Sequence, residues 1–415
     1  MQEATFYGQV LFGPGSLDKL GNILKEGMWR ARDFRGQKAL IVASKGSAKR
    51  GHLRRVQDQL RIANIDYCVF SDFSCNPTNS QVQAGLDMFE KEKCGFVVGL
   101  GGGSSIDTAK MIASDCNDYK EINVKVMAIL TAPGNGAEVN RRAIVFDERE
   151  KIKKPGWAPI PTFTIIDPDL MLSVPAIMSA YQGFDALCQC MEDYLSALGE
   201  ESNSDNSYNS RHLSCSMEAF RLIIKNLPIV VENPNNVKAR TEIAYASTLA
   251  RVRGMPRELC GIRPMVRALA SCYPSIPHGA NLVLLSGPYY TQLAQRVDRE
   301  VDVSLRDKMI KLAKILGKED AQSAKDFPIA LENFKKRCNI GLDTLKLSNF
   351  IGEKNFNEKD VDTLVKRARE YNPPSVFNKR HGKLFRSSKE EVSLEEEDVA
   401  YKNIFREVLG CLPSA

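Results

Sequence analysis

A chain of 415 residues is long enough for two domains, each burying its own core. Its net charge of +6 is small for this length and carries no nucleic-acid signature. No apolar run approaches the roughly 18 residues of a membrane span. The opening Met1-Gln2-Glu3-Ala4-Thr5 lacks the basic start and apolar core of a secretory signal, so a cytoplasmic location is expected. The eleven cysteines fall mostly in apolar segments without C-x-x-C pairs, as reduced core thiols would.

In chain order, residues 6–13 read as a strand closed by glycine, and 16–24 as a short helix capped by Ser16. Residues 38–43 are a continuous apolar strand of the kind covered on both faces. A small basic loop over 44–51 follows, then a helix over 53–63 and a strand over 66–70. Asn76-Pro77-Thr78 caps a helix over 81–91. The most informative stretch comes next: the strand Phe96-Val97-Val98, the run Gly99-Leu100-Gly101-Gly102-Gly103-Ser104-Ser105, and a helix beginning near Ser104. Strand, glycines and helix N-terminus bring backbone N–H groups close to a phosphate, and the helix dipole favours negative charge there. The alternative is a tight turn with no ligand, but three consecutive glycines are an entropic cost that a mere connector avoids. The run is neither G-x-G-x-x-G nor a Walker loop.

Residues 126–130 form the next strand and run into a second small-residue loop, Thr131 to Glu138; strands over 143–146 and 162–166 follow. Alternating strand and helix argues a doubly wound parallel sheet. After Pro175 helical periodicity takes over, at 176–198, 210–227, 238–253, 304–316 and 327–338. The expected organisation is an α/β nucleotide-binding domain over 1–175 and an all-helical domain over 176–415. Within the latter, 377–397 is a charged loop or disordered insertion before a last helix at 398–409.

The run from Gly101 through Ser105-Ile106-Asp107-Thr108-Ala109-Lys110 resembles the nucleotide-binding signature of the iron-containing (group III) alcohol dehydrogenases. The likeness continues in order over about residues 4–374. It passes through Phe12-Gly13, Asn76-Pro77-Thr78, Asp167-Pro168-Asp169-Leu170 and Gly183-Phe184-Asp185-Ala186-Leu187. Beyond these come Ala246-Ser247-Thr248-Leu249-Ala250, Ile276-Pro277-His278-Gly279 and Asn372-Pro373. The resemblance implies a Rossmann-like domain followed by an all-helical domain, an active site in the cleft between them, an NAD(P)-dependent oxidoreductase activity and a homodimer. It also implies cofactor contacts from Gly102, Gly103, Ser104 and Asp107 along the pyrophosphate, from Thr131 and Asn135 at the phosphate or nicotinamide end, and from Asn76. Ser44 stands where NAD-preferring members carry an Asp for the ribose 2′-hydroxyl. Ser44, Lys45, Ser47 and Lys49 offer donors and positive charge that favour NADPH, with NADH still compatible if the loop is merely solvated.

In that family iron or zinc is held by an Asp and three His. Asp185 fills the Asp place, but Gln189 stands four residues on, and the His-Ala-Leu-x-His motif becomes Arg267-Ala268-Leu269-Ala270-Ser271. His278 alone survives of the ligand histidines; His52, His212 and His381 match no ligand position. Gln is a weak ligand and a protonated Arg repels a dication, so the pattern implies no metal, with Arg267 paired to Asp185 instead. Another group must then stabilise a developing alkoxide. Asp185, Arg267, His278 and Tyr181 are the candidate catalytic residues, although the polar side of their helix also suits a solvent face. The expected activity is metal-independent, NADPH-dependent reduction of a carbonyl or imine/iminium substrate, small and in one version anionic, without nucleic-acid or membrane partners. A non-redox lyase or cyclase of the same superfamily and a nucleotide-binding pseudoenzyme are the alternatives.

Overall fold

The computed structural model describes residues 8–120, 123–134, 136–197, 206–251, 262–300, 302–341, 343–371 and 394–410. Its strands are β1 (Gln9–Phe12), β2 (Ala39–Ala43), β3 (Tyr67–Phe70), β4 (Phe96–Gly101), β5 (Lys125–Leu130), β6 (Arg142–Asp147), β7 (Ile152–Trp157) and β8 (Phe163–Ile166). Among them run α1 (Leu20–Glu26), α2 (Lys45–Lys49), α3 (His52–Ile62), α4 (Asn79–Lys91) and α5 (Gly103–Lys120). The later helices are α6 (Ala176–Ser196), α7 (Asn206–Glu232), α8 (Val237–Leu249), α9 (Arg263–Cys272) and α10 (His278–Glu300). They continue with α11 (Val303–Ile315), α12 (Asp326–Arg337), α13 (Ser348–Ile351), α14 (Glu358–Glu370) and α15 (Leu394–Leu409). None of the described helices is long and apolar enough to cross a membrane.

The chain divides into two compact units. Met1–Gln182 with Asn233–Arg253 forms the first, and Gly183–Glu232 with Gly254–Ala415 the second. In the first, six strands make a parallel sheet in the order β1-β8-β5-β4-β2-β3, the α/β arrangement that the apolar runs predict. Successive residues of a strand point to opposite faces, and the core splits accordingly. Ala39, Ile41 and Ala43 of β2 pack with Leu20, Leu24, Val56 and Leu60 of α1 and α3. Leu40 and Val42 pack on the other face with Val82, Leu86, Ala109 and Ile112 of α4 and α5. Helix α8 joins this unit through the buried Arg240, which donates to Ser179 Oγ, the Val174 carbonyl and the Pro234 carbonyl. The second unit is helical, with α9 against α14 and α10 against α9, α12 and α15.

Several local expectations change. The loop expected at 44–51 contains α2, because Ser44 Oγ accepts the Ser47 N–H as an N-cap. Ser16 caps nothing; its hydroxyl donates to the Gly13 carbonyl, and a 3-10 turn precedes α1. Strand β7, an antiparallel partner of β6, was hidden by its Pro155-Gly156. Helix α7 continues past Pro228 to Glu232. Helices α9, α10 and α14 were not expected. Of the charged tail segment, 377–393 lies outside the described residues, and 394–397 open α15.

Candidate active site

Strands β2 and β4 lie side by side, with Ala43 opposite Leu100. The helices that follow them depart to opposite faces of the sheet: α3 to one, α5 to the other. A parallel sheet opens a crevice at the carboxyl ends of two such strands, which is where ligands of doubly wound folds bind. Ser44 and the glycine run stand at those two ends. Gly101 has φ +150°, and a Cβ there would lie 2.3 Å from Ser105 Oγ and 3.6 Å from Ser44 Oγ. Only glycine fits this backbone. The Gly102 carbonyl accepts the N–H groups of Ser105 and Ile106, so those of Gly103 and Ser104 come first in α5, without an intrahelical acceptor. This arrangement can hold a phosphate.

The neighbouring residues build the cradle's walls. Ser104 Oγ donates to the Cys75 carbonyl and so ties the Asn76-Pro77-Thr78 turn to the start of α5. That turn is fixed at its other side by the capping box of Thr78 and Gln81 on α4. The Thr131 N–H donates to the Gly101 carbonyl, which brings the second small-residue loop alongside. Ser47 is buried against Ser44, while the exposed Lys45 reaches within 3.9 Å of Asp72. Asn135 lies outside the described residues.

Asp107 does not face the cradle. It is buried, accepts the Ile144 N–H of β6 and lies 3.3 Å from Lys110 Nζ. The fully buried Lys110 donates in turn to the carbonyls of Ala137, Asn140 and Arg142. The Asp107–Lys110 pair thus fastens the chain between β5 and β6 to the back of α5, a positioning role that the motif did not reveal.

In the second unit, α6 carries Asp185, Gln189 and Glu192 at i, i+4 and i+7, one helical face. The guanidinium of Arg263, at the start of α9, lies across them. Its Nη1 donates to Asp185 Oδ1 at 2.9 Å, its Nε to Glu192 Oε2 at 2.8 Å, and its Nη2 reaches Gln189 Oε1 at 3.5 Å. The group is buried, with side-chain exposure of 5% for Arg263 and 6% for Asp185. Burial by itself would lower the Arg263 pKa; Glu192 and Asp185 outweigh it and hold the guanidinium charged. The Gln189 amide donates onward to Asp193 Oδ1, whose other oxygen accepts from Ser216 Oγ and lies 3.2 Å from His212 Nε2. His278, the first residue of α10, places Nε2 at 3.8 Å from Asp185 Oδ2 and keeps its ring 38% exposed.

The carboxylate partner is therefore Arg263, one helical turn before the expected Arg267. Arg267 instead lays its guanidinium over the Tyr371 ring, 5.7 Å from the centroid. Glu192, which the sequence puts with Asp185 on a polar side of this helix that also suits a solvent face, takes the other end of the same guanidinium. Tyr181 sits on α6 one turn before Asp185, and burial raises its phenol pKa. This donor set does not suit a divalent cation. The carboxylate that would ligate it already receives a guanidinium, the residue four further on is a neutral amide, and a dication would face a fixed positive charge. Among the described residues no group of three or more His, Cys, Asp or Glu is placed to hold a metal.

Comparison with known proteins accounts for both units. The model of the family "Iron-containing alcohol dehydrogenase" matches residues 8–168, and that of its C-terminal region, "Fe-containing alcohol dehydrogenase family, C-terminal", residues 179–381. The chain is 33% identical over 291 residues to a 1,3-propanediol dehydrogenase of Citrobacter freundii, 66% of this chain and 71% of that protein. It is 29% identical over 373 residues to an NAD-dependent methanol dehydrogenase of Bacillus methanolicus, 86% and 91% of the two. An archaeal halo-thermophilic Red Sea brine pool alcohol dehydrogenase has the same fold, with TM-score 0.79 at 21% identity over 99% of each chain. A sulfoacetaldehyde reductase from Bifidobacterium kashiwanohense in complex with NAD+ superposes with TM-score 0.74 at 23% identity, covering 99% of this chain and 100% of that one. With the glycine cradle retained and the carboxylate of the other unit held by an arginine, the chain belongs to the iron-containing alcohol dehydrogenase family and is an oxidoreductase.

Proposed function

We propose that this oxidoreductase reduces a carbonyl or imine/iminium carbon without a metal ion, using NADPH. The observation that carries this reading is the guanidinium of Arg263 on Asp185 and Glu192. Bound NADPH supplies the hydride. The chain's own residues do the rest. Gly101 to Ser104 and the start of α5 hold the pyrophosphate, and Ser44 leaves the crevice free of a carboxylate that would repel a 2′-phosphate. Asp185, fixed by Arg263, orients His278, whose exposed ring is placed to hand a proton to the product oxygen or nitrogen. An iminium carbon is already electrophilic and needs no Lewis acid, which favours that substrate class.

Ser44→Asp tests the cofactor assignment. Asp is as good an N-cap as Ser, so α2 survives the change. A carboxylate beside a 2′-phosphate costs enough to lower kcat/KM for NADPH about tenfold or more, with NADH unchanged or improved. Steady-state kinetics with both cofactors decide it. A wild-type enzyme that prefers NADH, or an unchanged preference in the variant, contradicts the NADPH reading.

A further inference from the structure

Asp193 lies in the last turn of α6, where a carboxylate faces the negative end of the helix dipole. Helix stability therefore does not account for it; its contacts do. Oδ1 accepts the Gln189 amide at 2.9 Å, while Oδ2 accepts Ser216 Oγ at 2.8 Å and lies 3.2 Å from His212 Nε2. Ser216 and His212 both stand on α7, so the carboxylate is held from a second helix. A glutamine amide donates at one end and accepts at the other, whereas a carboxylate only accepts. Asp193 therefore draws the Gln189 amide nitrogen and turns the carbonyl the other way, where Arg263 Nη2 lies 3.5 Å from Oε1. The reverse setting would put two donors face to face at Arg263 and two acceptors at Asp193. Gln189 is buried, so water does not relieve that clash.

From this chain of contacts we infer that Asp193 is a positioning residue: through the Gln189 amide it fixes the plane of the Arg263 guanidinium, and with it the side of Asp185 that His278 meets. Glu192 and Asp185 set Nε and Nη1, and Gln189 is the third point at Nη2. With Nη1 on Asp185 Oδ1, the other carboxylate oxygen lies 3.8 Å from His278 Nε2. The inference deepens the reductase reading and rests on it for the effect on catalysis; the setting of Arg263 does not. A plain pin between α6 and α7 is the simpler role for the same carboxylate, and the two roles differ in what moves when the acceptor is removed.

Asp193→Leu removes the acceptor and Asp193→Asn keeps one. NADPH oxidation with short linear aldehydes and with the cyclic imine 1-pyrroline gives kcat and KM. Arginine side-chain ¹⁵N NMR follows hydrogen exchange at Arg263 Nε–H, assigned by its loss in Arg263→Lys. For Asp193→Leu the expected kcat is about tenfold lower with KM for NADPH unchanged, because a displaced reacting group costs rate rather than cofactor affinity. Exchange at Arg263 Nε–H becomes about tenfold faster in the same variant, as a guanidinium with a lost third contact opens more often. Asp193→Asn stays within about twofold of wild type in both, since an amide oxygen still accepts from Gln189. If no compound turns over but exchange quickens in Asp193→Leu alone, the positioning role stands and the reductase reading fails. An Asp193→Leu that loses Tm and keeps both kcat and exchange is the α6–α7 pin, and overturns the inference. Faster exchange with unchanged kcat, lower kcat with unchanged exchange, and an Asp193→Asn as impaired as Asp193→Leu each overturn it too. Asp193→Ala serves as the variant if Asp193→Leu does not fold.

Discussion

Arg263→Met is expected to destabilise the helical unit by about 3–5 kcal/mol, the range for breaking a buried ion pair from one side. Asp185 and Glu192 lose their shared cation and remain buried as like charges on one face of α6. The cost lies in those orphaned carboxylates more than in the lost attraction, since desolvated charges are tolerated only when compensated. Adding Asp185→Asn and Glu192→Gln to Arg263→Met therefore restores most of the stability, because the triple variant buries no unpaired charge. Chemical denaturation followed by circular dichroism measures both effects. A shift below about 1 kcal/mol for the single variant, the size of a surface pair, would mean that the guanidinium does not carry these carboxylates.

Lys110→Met is the second large effect, and it falls on the other unit. The side chain is fully buried, with one carboxylate and three carbonyls around its ammonium. A methionine of similar length fills the space and satisfies none of them. Asp107 is left without its cation, and the chain between β5 and β6 loses its tether to α5. A loss of about 3–5 kcal/mol is expected, together with weaker nucleotide binding because Thr131 borders the glycine cradle. Asp107→Asn separates the two contributions. It keeps an acceptor for the Ile144 N–H and removes the charge, so it costs less than Lys110→Met. Denaturation and fluorescence titration with NADPH read stability and binding separately; unchanged binding by a folded Lys110→Met would show that the tether does not shape the cradle.

What the sequence disclosed follows from which signals are local. Apolar runs covered on both faces are visible in the text, and β2, β4 and β5 stand where those runs lie. The glycine run announces a backbone requirement, and φ +150° at Gly101 meets it. Facing is harder to read. Asp107 and Lys110 sit within the recognisable signature, yet a signature does not say which side chains turn inward, and a fully buried lysine runs against the usual preference of that residue. The arginine assignment slipped by one turn for a related reason. The helical periodicity does not mark 263–272, so the sequence assigns Arg263 and Arg267 no faces and only the motif match favours Arg267. Pro264 at its first turn marks the start of α9 and was the available signal. Strand β7 is obscured by Pro155-Gly156, which are tolerated because β7 pairs, among the described residues, only with β6.

The metal-free reading rests on the Arg263 guanidinium, which holds the Asp185 and Glu192 carboxylates. Metal analysis of the purified enzyme, combined with NADPH oxidation before and after dialysis against EDTA, tests it most directly. Iron and zinc contents well below one per chain are expected, with a rate that neither chelation nor added Fe²⁺ or Zn²⁺ changes. A rate abolished by EDTA and restored by either ion would contradict the metal-free reading.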